Sequence, residues 1–460
     1  WIEGDTLTAP LCDGAGTVQS IAGNNIELFD ASGRWAVNSG NYAEGPEVET
    51  GNDNFRYTGQ SFTAAVNCDV QSTEAITYGL KASSIGSLTR QLKSSVITGV
   101  TDGSIVSGFA PVTYSGNGGT QSITIGFAPD LVWIKSRGSS TSLHALTDTI
   151  RGPGHILRSN TAESDIDYGE FGVKSFNPDG FTVLDNSGGS YDVNGSPGGT
   201  YSGDAVYVAW CWSASDTTVI NNDGTIESQV RSNGNFSVVS YTGESPGAAN
   251  SDSGSSFGHG LNSPAKLVIL KRLDDGNNWQ VYHASAAQGA FVLNTTSAID
   301  TEIYSFAKKQ PTSSVVYLGN NPESNAFDSP YIAYCWADSP TQSFGSYEGN
   351  GSASAGPVIE CGFEPAFVLI KSLGTDNWFV FDTARQTTTT YPALRPSTAD
   401  GETTSASQNV ELTSTGFTIL GDNTAVNGSG TTYIYAAFGQ YTKGTQLTFD
   451  DDRDLQYLLP

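Results

Sequence analysis

Residues 207–212 read YVAWCW, an unbroken run of apolar and aromatic residues. Alternate side chains of a β-strand point to opposite faces of the sheet, so Trp210 and Trp212 would share one face and Cys211 would lie on the other. Both faces of the strand are therefore apolar. A strand of this kind is typical of the interior of a β-sandwich that a further layer also covers.

Similar runs end two later stretches of the chain, at residues 331–336 (YIAYCW) and 433–438 (YIYAAF). Each stretch begins with a Tyr-x-Gly phrase, at residues 114–116, 241–243 and 347–349. A phrase that ends in lysine follows, at residues 126–135, 260–271 and 362–371. Two further phrases recur between these, an Asn-Trp phrase at 278–283 and 377–382 with a weaker counterpart at 143–148, and a Gly-Phe-Thr phrase at 180–184 and 416–420. This constant order predicts three homologous modules of roughly 100 residues each.

The phrases are rich in Val, Ile, Tyr, Phe and Trp and are bounded by Gly, Pro, Asn and Asp, which predicts short strands. We therefore expect an all-β fold of tandem antiparallel β-sandwich or jelly-roll-like modules, with three homologous repeats and a distinct N-terminal module. The predicted boundaries are 1–105 for an N-terminal attachment or oligomerisation module, 106–215, 216–338 and 339–440 for the repeats, and 441–460 for an acidic tail. The second repeat includes a linker strand with Ile226, Ser228 and Val230 on one face. Short joints between modules favour a stiff rod or a packed stack.

The composition excludes several classes of protein. The chain has 460 residues with 47 acidic and 21 basic side chains, a net charge of −26. Nucleic-acid binding needs clustered Lys and Arg, and an anionic lipid surface would repel such a chain. The sequence contains no apolar run of 18 residues, so we expect no membrane span. The first residue is Trp and the chain contains no Met, which leaves open what preceded it.

The usual sequence signs of catalysis are missing. Only four histidines occur, and no phosphate-binding glycine loop is present. The pattern G-x-S-x-G occurs at residues 243–247 and 254–258, but both copies lie in a Gly/Ser-rich stretch and no helical pattern follows them, so neither is a nucleophile elbow. His283 occupies the module position that Asp148 and Asp382 hold in the other copies, which predicts a hydrogen-bonding role at the surface rather than catalysis. Carboxylate pairs are too numerous to single one out, so a glycan depolymerase stays an alternative to the prediction that the protein is not an enzyme.

Calcium is the one cofactor that the sequence favours at all, because two acidic turns place several oxygen ligands close together. The candidate ligands are Asp274 and Asp275 in one turn and Asp450, Asp451 and Asp452 in the other. Ordinary Asx turns are the alternative. Neither turn has the spacing of an EF-hand, and we expect no other cofactor.

The cysteines and tryptophans fit structural roles. Cys211 and Cys335 occupy equivalent positions where the third copy has Ala437, which predicts small buried side chains rather than reactive thiols. Cys12 and Cys68 remain candidates for a disulfide. Recurring tryptophans predict core packing, with stacking on sugar rings as the alternative.

The repeated phrases resemble tandem modules in virion proteins of marine bacteriophages. The resemblance covers roughly residues 108–440 and is carried by the phrases at 129–135, 179–183, 193–195, 207–212, 222–226 and 236–243. The second copy lacks the Val-Asn-Gly phrase that the first has at 193–195, and the first copy has a degenerate Asn-Trp phrase. Proteins of that family are described as tail-fibre, tail-associated or structural, and no catalytic residues can be transferred from them.

The resemblance implies a non-enzymatic structural protein of a bacteriophage virion, most simply a tail fibre or appendage that presents a host-binding surface. A capsid-surface decoration or cement protein and a cellular extracellular adhesin or matrix protein are the alternatives. The expected partners are other virion proteins, further copies of the chain in a homo-oligomer, with a trimer favoured, and a host-surface glycan or receptor. The expected location is the surface of the virion, outside the cell.

Overall fold

The structure is a computed structural model that describes residues 108–138, 141–185, 193–195, 205–245, 251–286, 289–387, 389 and 391–440. It also gives the backbone of four short strands within the first 44 residues. Residues 105–441 form one compact unit, and residues 1–104 with 442–460 form another.

The first 44 residues contain two antiparallel hairpins of three-residue strands. These strands are β1 (Ser20–Ala22), β2 (Asn25–Glu27), β3 (Arg34–Ala36) and β4 (Tyr42–Glu44).

The first region of the larger unit contains a four-stranded sheet, a three-stranded sheet and a short pair. In spatial order the four-stranded sheet is β5 (Phe109–Ser115), β13 (Val206–Trp212), β7 (Leu131–Ser136) and β8 (Ala145–Asp148). The three-stranded sheet is β11 (Gly172–Asn177), β12 (Gly180–Leu184) and β6 (Thr120–Thr124), and the pair is β9 (His155–Ile156) with β10 (Ile166–Asp167).

The second region has a seven-stranded sheet and a two-stranded sheet. The larger sheet is β14 (Val219–Asn221), β15 (Ser228–Ser232), β16 (Phe236–Thr242), β22 (Pro330–Trp336), β18 (Leu267–Arg272), β19 (Gln280–His283) and β20 (Phe291–Val292). The smaller one pairs β17 (Asp252–Gly258) with β21 (Val315–Gly319). In the linker strand Ile226, Ser228 and Val230 are all buried, as the alternating pattern predicted.

The third region again has a four-stranded and a three-stranded sheet. The first is β23 (Gln342–Glu348), β29 (Thr432–Gly439), β25 (Pro365–Ser372) and β26 (Phe379–Asp382), and the second is β24 (Val358–Glu360), β28 (Gly416–Ile419) and β27 (Val410–Leu412). The described helices are single turns: α1 (Pro322–Asn325), α2 (Thr424–Asn427) and two 3-10 turns at Ala284–Ala286 and Ala406–Gln408. The prediction of an all-β fold of antiparallel sheets is therefore confirmed.

One strand order occurs in all three regions. We call the strand with the Tyr-x-Gly tyrosine the opening strand, the strand of the final aromatic run the closing strand, and the strand of the lysine phrase the lysine strand. The opening strand pairs with the closing strand, the closing strand with the lysine strand, and the lysine strand with a short strand. All of these pairings are antiparallel. We call these regions modules 1, 2 and 3, meaning residues 108–215, 216–338 and 339–440.

Both faces of each closing strand are buried, but in different cores. Val208, Trp210 and Trp212 belong to a core that also contains residues of modules 2 and 3, whereas Tyr207 and Cys211 pack in a core private to module 1. The private core lies between the two sheets of the module, which makes it a sandwich. The same division holds for the closing strands of the other two modules. The three sandwiches thus pack around one shared core, with one face of each main sheet turned toward it.

An aromatic triad lies where the closing strands end. The ring centroids of Trp212, Trp336 and Phe438 are 5.5, 5.8 and 5.9 Å apart, so each ring contacts both others. Phe109, near the start of the unit, lies 5.6 Å from Phe438, near its end. Both ends of the described part of this unit therefore lie at the triad.

Candidate functional site

The side chains that could take part in acid–base or hydrogen-bonding chemistry lie mainly where modules meet. Three ring N–H groups each donate a hydrogen bond to a backbone carbonyl of a neighbouring module. The three bonds are Trp279 Nε1 to Arg158 O at 2.9 Å, Trp378 Nε1 to Val292 O at 3.0 Å and His144 Nε2 to Arg395 O at 3.0 Å. They run from module 2 to 1, from 3 to 2 and from 1 to 3, which is a closed cycle. His144 thus does in module 1 what tryptophan does in the other two modules.

The protonation of His144 follows from its contacts. Trp133 Nε1 donates to His144 Nδ1 at 2.9 Å, so Nδ1 is an acceptor and the ring proton is on Nε2. Burial lowers the pKa of His144 well below its usual value, and the charge of Lys135 lowers it further. A neutral imidazole that is fully used by two partners is a structural group.

A second cycle joins each closing strand to the short strand of its neighbour. Its three bonds are Trp210 Nε1 to Asp382 Oδ2 at 2.9 Å, the Tyr334 hydroxyl to Asp148 Oδ2 at 2.8 Å, and His283 Nε2 to Tyr435 O at 3.0 Å. In module 3 the donor position holds Ala436, which cannot donate, and the longer His283 reaches the adjacent backbone carbonyl instead. The expectation that His283 forms hydrogen bonds at the surface is wrong in its location: the side chain is 1% exposed, and burial lowers its pKa to about 4.

The charge at these joints is balanced locally. Arg385 Nε contacts Asp382 at 2.7 Å and Arg151 Nε contacts Asp148 at 2.6 Å, with both pairs buried. In module 2 the residue three positions after His283, where the other modules have these arginines, is Ala286. The module without the buried carboxylate thus also lacks the buried guanidinium, as the high cost of an unpaired buried charge requires.

A buried lysine ends the lysine strand in every module. The amines of Lys135, Lys271 and Lys371 donate to the backbone carbonyl of the next residue at 2.9, 2.6 and 2.8 Å. Burial lowers the pKa of Lys271 and Lys371 to about 8. The amines of Lys271 and Lys371 also donate to a carbonyl in the turn that follows and so tie the end of the strand to that turn.

The Tyr-x-Gly phrases form a second recurring device. The hydroxyl of each phrase tyrosine donates to a backbone carbonyl that directly precedes a buried asparagine, and its ring stacks on the first tyrosine of the closing run. The tyrosine pairs are Tyr114 with Tyr207, Tyr241 with Tyr331 and Tyr347 with Tyr433, and the carbonyls belong to Val193, Ser324 and Val426. Ser324 and Asn325 therefore occupy in module 2 the position that the Val-Asn-Gly phrase has in module 1, although module 2 lacks that phrase in its sequence.

The glycine of each phrase is required by close packing. A Cβ on Gly116, Gly243 or Gly349 would lie 2.3, 2.2 or 2.4 Å from a backbone oxygen of the asparagine loop. Sequence analysis found both phrases but missed that they contact each other, because residues in the two phrases are about 80 positions apart.

One predicted calcium turn can be placed. Asp274 and Asp275 follow β18, and Arg272 Nε lies 2.5 Å from Asp274 Oδ1 and Arg272 Nη1 4.0 Å from Asp275 Oδ2. The hydrogen bond from Arg272 lowers the pKa of Asp274. A calcium ion here would have to displace that arginine, and the described residues contain no group of three or more His, Cys, Asp or Glu side chains placed to hold a metal. Asp450, Asp451 and Asp452 lie outside the described residues.

The cysteine and tryptophan predictions can also be placed. Cys211 and Cys335 are free, buried thiols whose pKa burial raises. Cys12 and Cys68 lie outside the described residues. The recurring tryptophans are all at most 3% exposed, as core packing requires: Trp133, Trp210, Trp212, Trp279, Trp336 and Trp378.

A cleft of about 570 Å³ lies at the contact between modules 1 and 3. Arg137 lines it from module 1, and Arg395, Asp400, Glu402 and Thr403 line it from module 3. Arg137 donates to both carboxylate oxygens of Glu402 at 2.9 Å. Sequence reasoning missed this cleft, which brings together residues 265 positions apart.

No helix in the described part of the chain has the length and apolar character that a membrane span needs. No curated protein and no solved structure matches the chain. A family model described as a domain of unknown function (DUF7483) matches residues 106–441, which is the three-module unit together with its immediate flanks. Because this match covers well over half of the sequence, the chain belongs to the DUF7483 family.

Proposed function

We propose that the protein is a non-enzymatic structural protein of a bacteriophage virion, located in a tail fibre or other appendage that presents a host-binding surface. The observation that carries the structural role is the use of its reactive side chains. His144, His283, Asp148 and Asp382 are buried and hydrogen-bonded across module contacts, and two of the acids are neutralised by buried arginines. Groups engaged in this way stabilise an assembly of modules.

We also propose that the three modules are homologous repeats of one β-sandwich. The shared strand order, the two cycles of inter-module bonds, the buried lysines and the tyrosine–asparagine contacts all support this origin. Unrelated sandwiches would have no reason to place a ring N–H and its acceptor at the same strand positions three times.

The geometry of the chain ends supports an appendage. Phe109 and Phe438 meet at the aromatic triad, so both ends of the described three-module unit lie there. The asparagine loops lie at the other end of the closing strands, about 20 Å away for a seven-residue strand. One end of the unit is thus suited to attachment and the other to presentation.

Labelled particles test this proposal. An antibody raised against the purified chain would be bound to phage particles that encode it and located with gold by electron microscopy. Gold at the tail is the expected result. Gold on the capsid faces would replace the appendage with a decoration protein, and particles without label would remove the virion role.

The non-enzymatic part has its own test. The purified chain is incubated with capsular polysaccharide or lipopolysaccharide of the host, and the products are separated by size. We expect no oligosaccharides. Their release, abolished by replacement of one carboxylate, would show a depolymerase instead.

A further inference from the structure

The contact between modules 1 and 3 departs from the pattern of the other two contacts. At each contact, a backbone N–H of one module donates to the carbonyl two residues after the buried lysine of the next. The bonds are Asp165 N to Leu273 O at 2.9 Å, Ile299 N to Leu373 O at 2.9 Å and Glu402 N to Arg137 O at 2.7 Å. The backbone arrangement is therefore the same at all three places, and only the side chains differ.

The side chains at the third contact are polar. At the contact between modules 3 and 1, Arg137 stands where the other two contacts have Leu273 and Leu373. Glu402 lies opposite it, and the counterparts of Glu402 at the other contacts are Asp165 and Ile299. Arg385 Nη1 lies a further 3.6 Å from Glu402 Oε2. An arginine in place of leucine at one of three equivalent positions costs desolvation energy, which a purely structural joint has no need to bear.

The cleft described above opens at this contact. Its volume of about 570 Å³ falls in the range of small-molecule sites, which is roughly 300–1,000 Å³. Arg395 Nη1 contacts Asp400 Oδ2 at 2.9 Å, and about half of the Asp400 side chain is exposed. The cleft therefore presents guanidinium donors and carboxylate acceptors side by side.

Two buried donors of residues that line the cleft, Arg395 Nε and Thr403 Oγ1, lack a hydrogen-bond acceptor among the described residues. Arg385 Nη1, behind the lining, also has no hydrogen bond, and Glu402 Oε2 lies 3.6 Å from it. Arg385 is 4% exposed as a residue, so water reaches its guanidinium poorly. Buried polar atoms are almost always satisfied in folded proteins. Unsatisfied donors beside the one contact that carries an arginine at this position indicate a place built for a ligand.

From this chemistry we propose that the cleft binds a saccharide that carries a carboxylate. Its carboxylate would accept charge-assisted hydrogen bonds from the guanidinium nitrogens that the carboxylates of the cleft leave unused, Arg137 Nη1 and Arg395 Nε. Its hydroxyl groups would donate hydrogen bonds to Asp400, whose carboxylate would repel a bare inorganic anion. Two cationic side chains, Arg137 and Arg395, and two anionic ones, Asp400 and Glu402, line the cleft, so it is locally neutral in a chain of net charge −26.

Binding to the isolated full-length chain tests the proposal. The probe is sodium D-glucuronate, with D-glucose as its uncharged counterpart, and binding is followed by calorimetry and ligand-detected NMR. Wild-type protein should bind glucuronate about tenfold or more tightly than glucose, because the charge-assisted bonds are lost with glucose. Equal binding of the two sugars, or no binding of glucuronate at millimolar concentrations, overturns the proposal.

Two variants at equivalent module positions locate the site. Arg395→Gln removes a lining guanidinium, whereas Arg158→Gln changes the corresponding residue of module 1, whose carbonyl also accepts a ring N–H. Glucuronate affinity should fall about tenfold in Arg395→Gln and stay unchanged in Arg158→Gln. Equal affinities in the two variants would remove the cleft as the site.

The wild-type chain gives the same answer should Arg395→Gln fail to fold. Phenylglyoxal modifies exposed arginines, and saturating glucuronate should slow the modification of Arg395 but not that of Arg272, read by mass spectrometry. Absence of protection at Arg395 counts against the site. The inference rests on the proposed function only for the source of the saccharide. Binding without gold on particles removes the virion role alone, and gold at the tail without binding removes this site alone.

Discussion

Replacing Asp382 by alanine should destabilise the three-module unit by about 3–5 kcal/mol, the usual cost of breaking a buried ion pair. Asp382 is 1% exposed and accepts hydrogen bonds from Trp210 Nε1 at 2.9 Å, Arg385 Nε at 2.7 Å and Arg385 N at 3.1 Å. Alanine removes all three acceptors and leaves the fully buried guanidinium of Arg385 without its partner. Typical proteins are stable by only about 5–15 kcal/mol, so this loss is easily measured.

The assay is unfolding in guanidinium chloride, followed by tryptophan fluorescence. With an m-value of about 4 kcal/mol/M, a loss of about 4 kcal/mol lowers the midpoint by about 1 M. The equivalent variants provide matched controls. Asp148→Ala should cost less, because Arg151 keeps an ion pair with Asp165 at 2.8 Å, whereas Arg385 keeps only Glu402 at 3.6 Å. His283→Ala should cost only about 1–3 kcal/mol, because it loses two neutral hydrogen bonds, to Tyr435 O and from Ser285 N, and leaves no charge unpaired.

The double variant Asp382→Ala/Arg385→Met separates charge from packing. Removal of both charges should restore a large part of the stability lost in Asp382→Ala, since an apolar pair often replaces a buried ion pair at little cost. The reasoning is refuted if His283→Ala destabilises as much as Asp382→Ala, or if the double variant is less stable than the single one. Either result would mean that the joint depends on shape and not on compensated charge.

Three further predictions concern pH and packing. Burial lowers the pKa of His283 from 6.5 in the unfolded chain to about 4, so the unfolded state binds more protons between these pH values. The free energy of unfolding should therefore fall by up to about 3 kcal/mol as the pH drops from 7 to 4. His283→Gln should remove that part of the pH dependence of the melting temperature. Gly243→Ala should lower the melting temperature by several degrees, because its Cβ would lie 2.2 Å from Ala326 O, whereas Gly276→Ala, with 3.7 Å to its nearest neighbour, should leave it unchanged. Val208→Asp should cost several kcal/mol by placing an unpaired carboxylate in the shared core, and an unaltered unfolding midpoint would contradict the assignment of that strand.

The strands could be predicted from sequence because their pattern is local. Trp212 and Cys211 were assigned to opposite apolar faces, and they lie in two different cores. What sequence could not give is which surface covers the second face. Trp279 Nε1 and Arg158 O are 121 positions apart, and nothing in either phrase shows that they meet.

The error over His283 has a physical origin. Its exchange with Asp148 and Asp382 suggested a tolerant surface position, because buried sites seldom accept such changes. The position is buried in all three modules, and exchange is tolerated because the partner changes with it: Ala286 stands where the aspartates have arginine. Comparing residues three positions further on would have revealed the coupling.

The closed cycle of contacts also bears on the expected trimer. A homotrimer of single modules would present three identical joints, and a change that suits one joint would be imposed on all three. One chain that carries all three modules is free of that constraint. It can keep a ring N–H at one joint as His144 and at another as Trp279, and can place Arg137 and Glu402 at the third joint alone. Covalent linkage thus allows the proposed ligand cleft at one joint of an otherwise threefold arrangement. Any trimer of whole chains must use surfaces other than the shared core, which these three modules already fill.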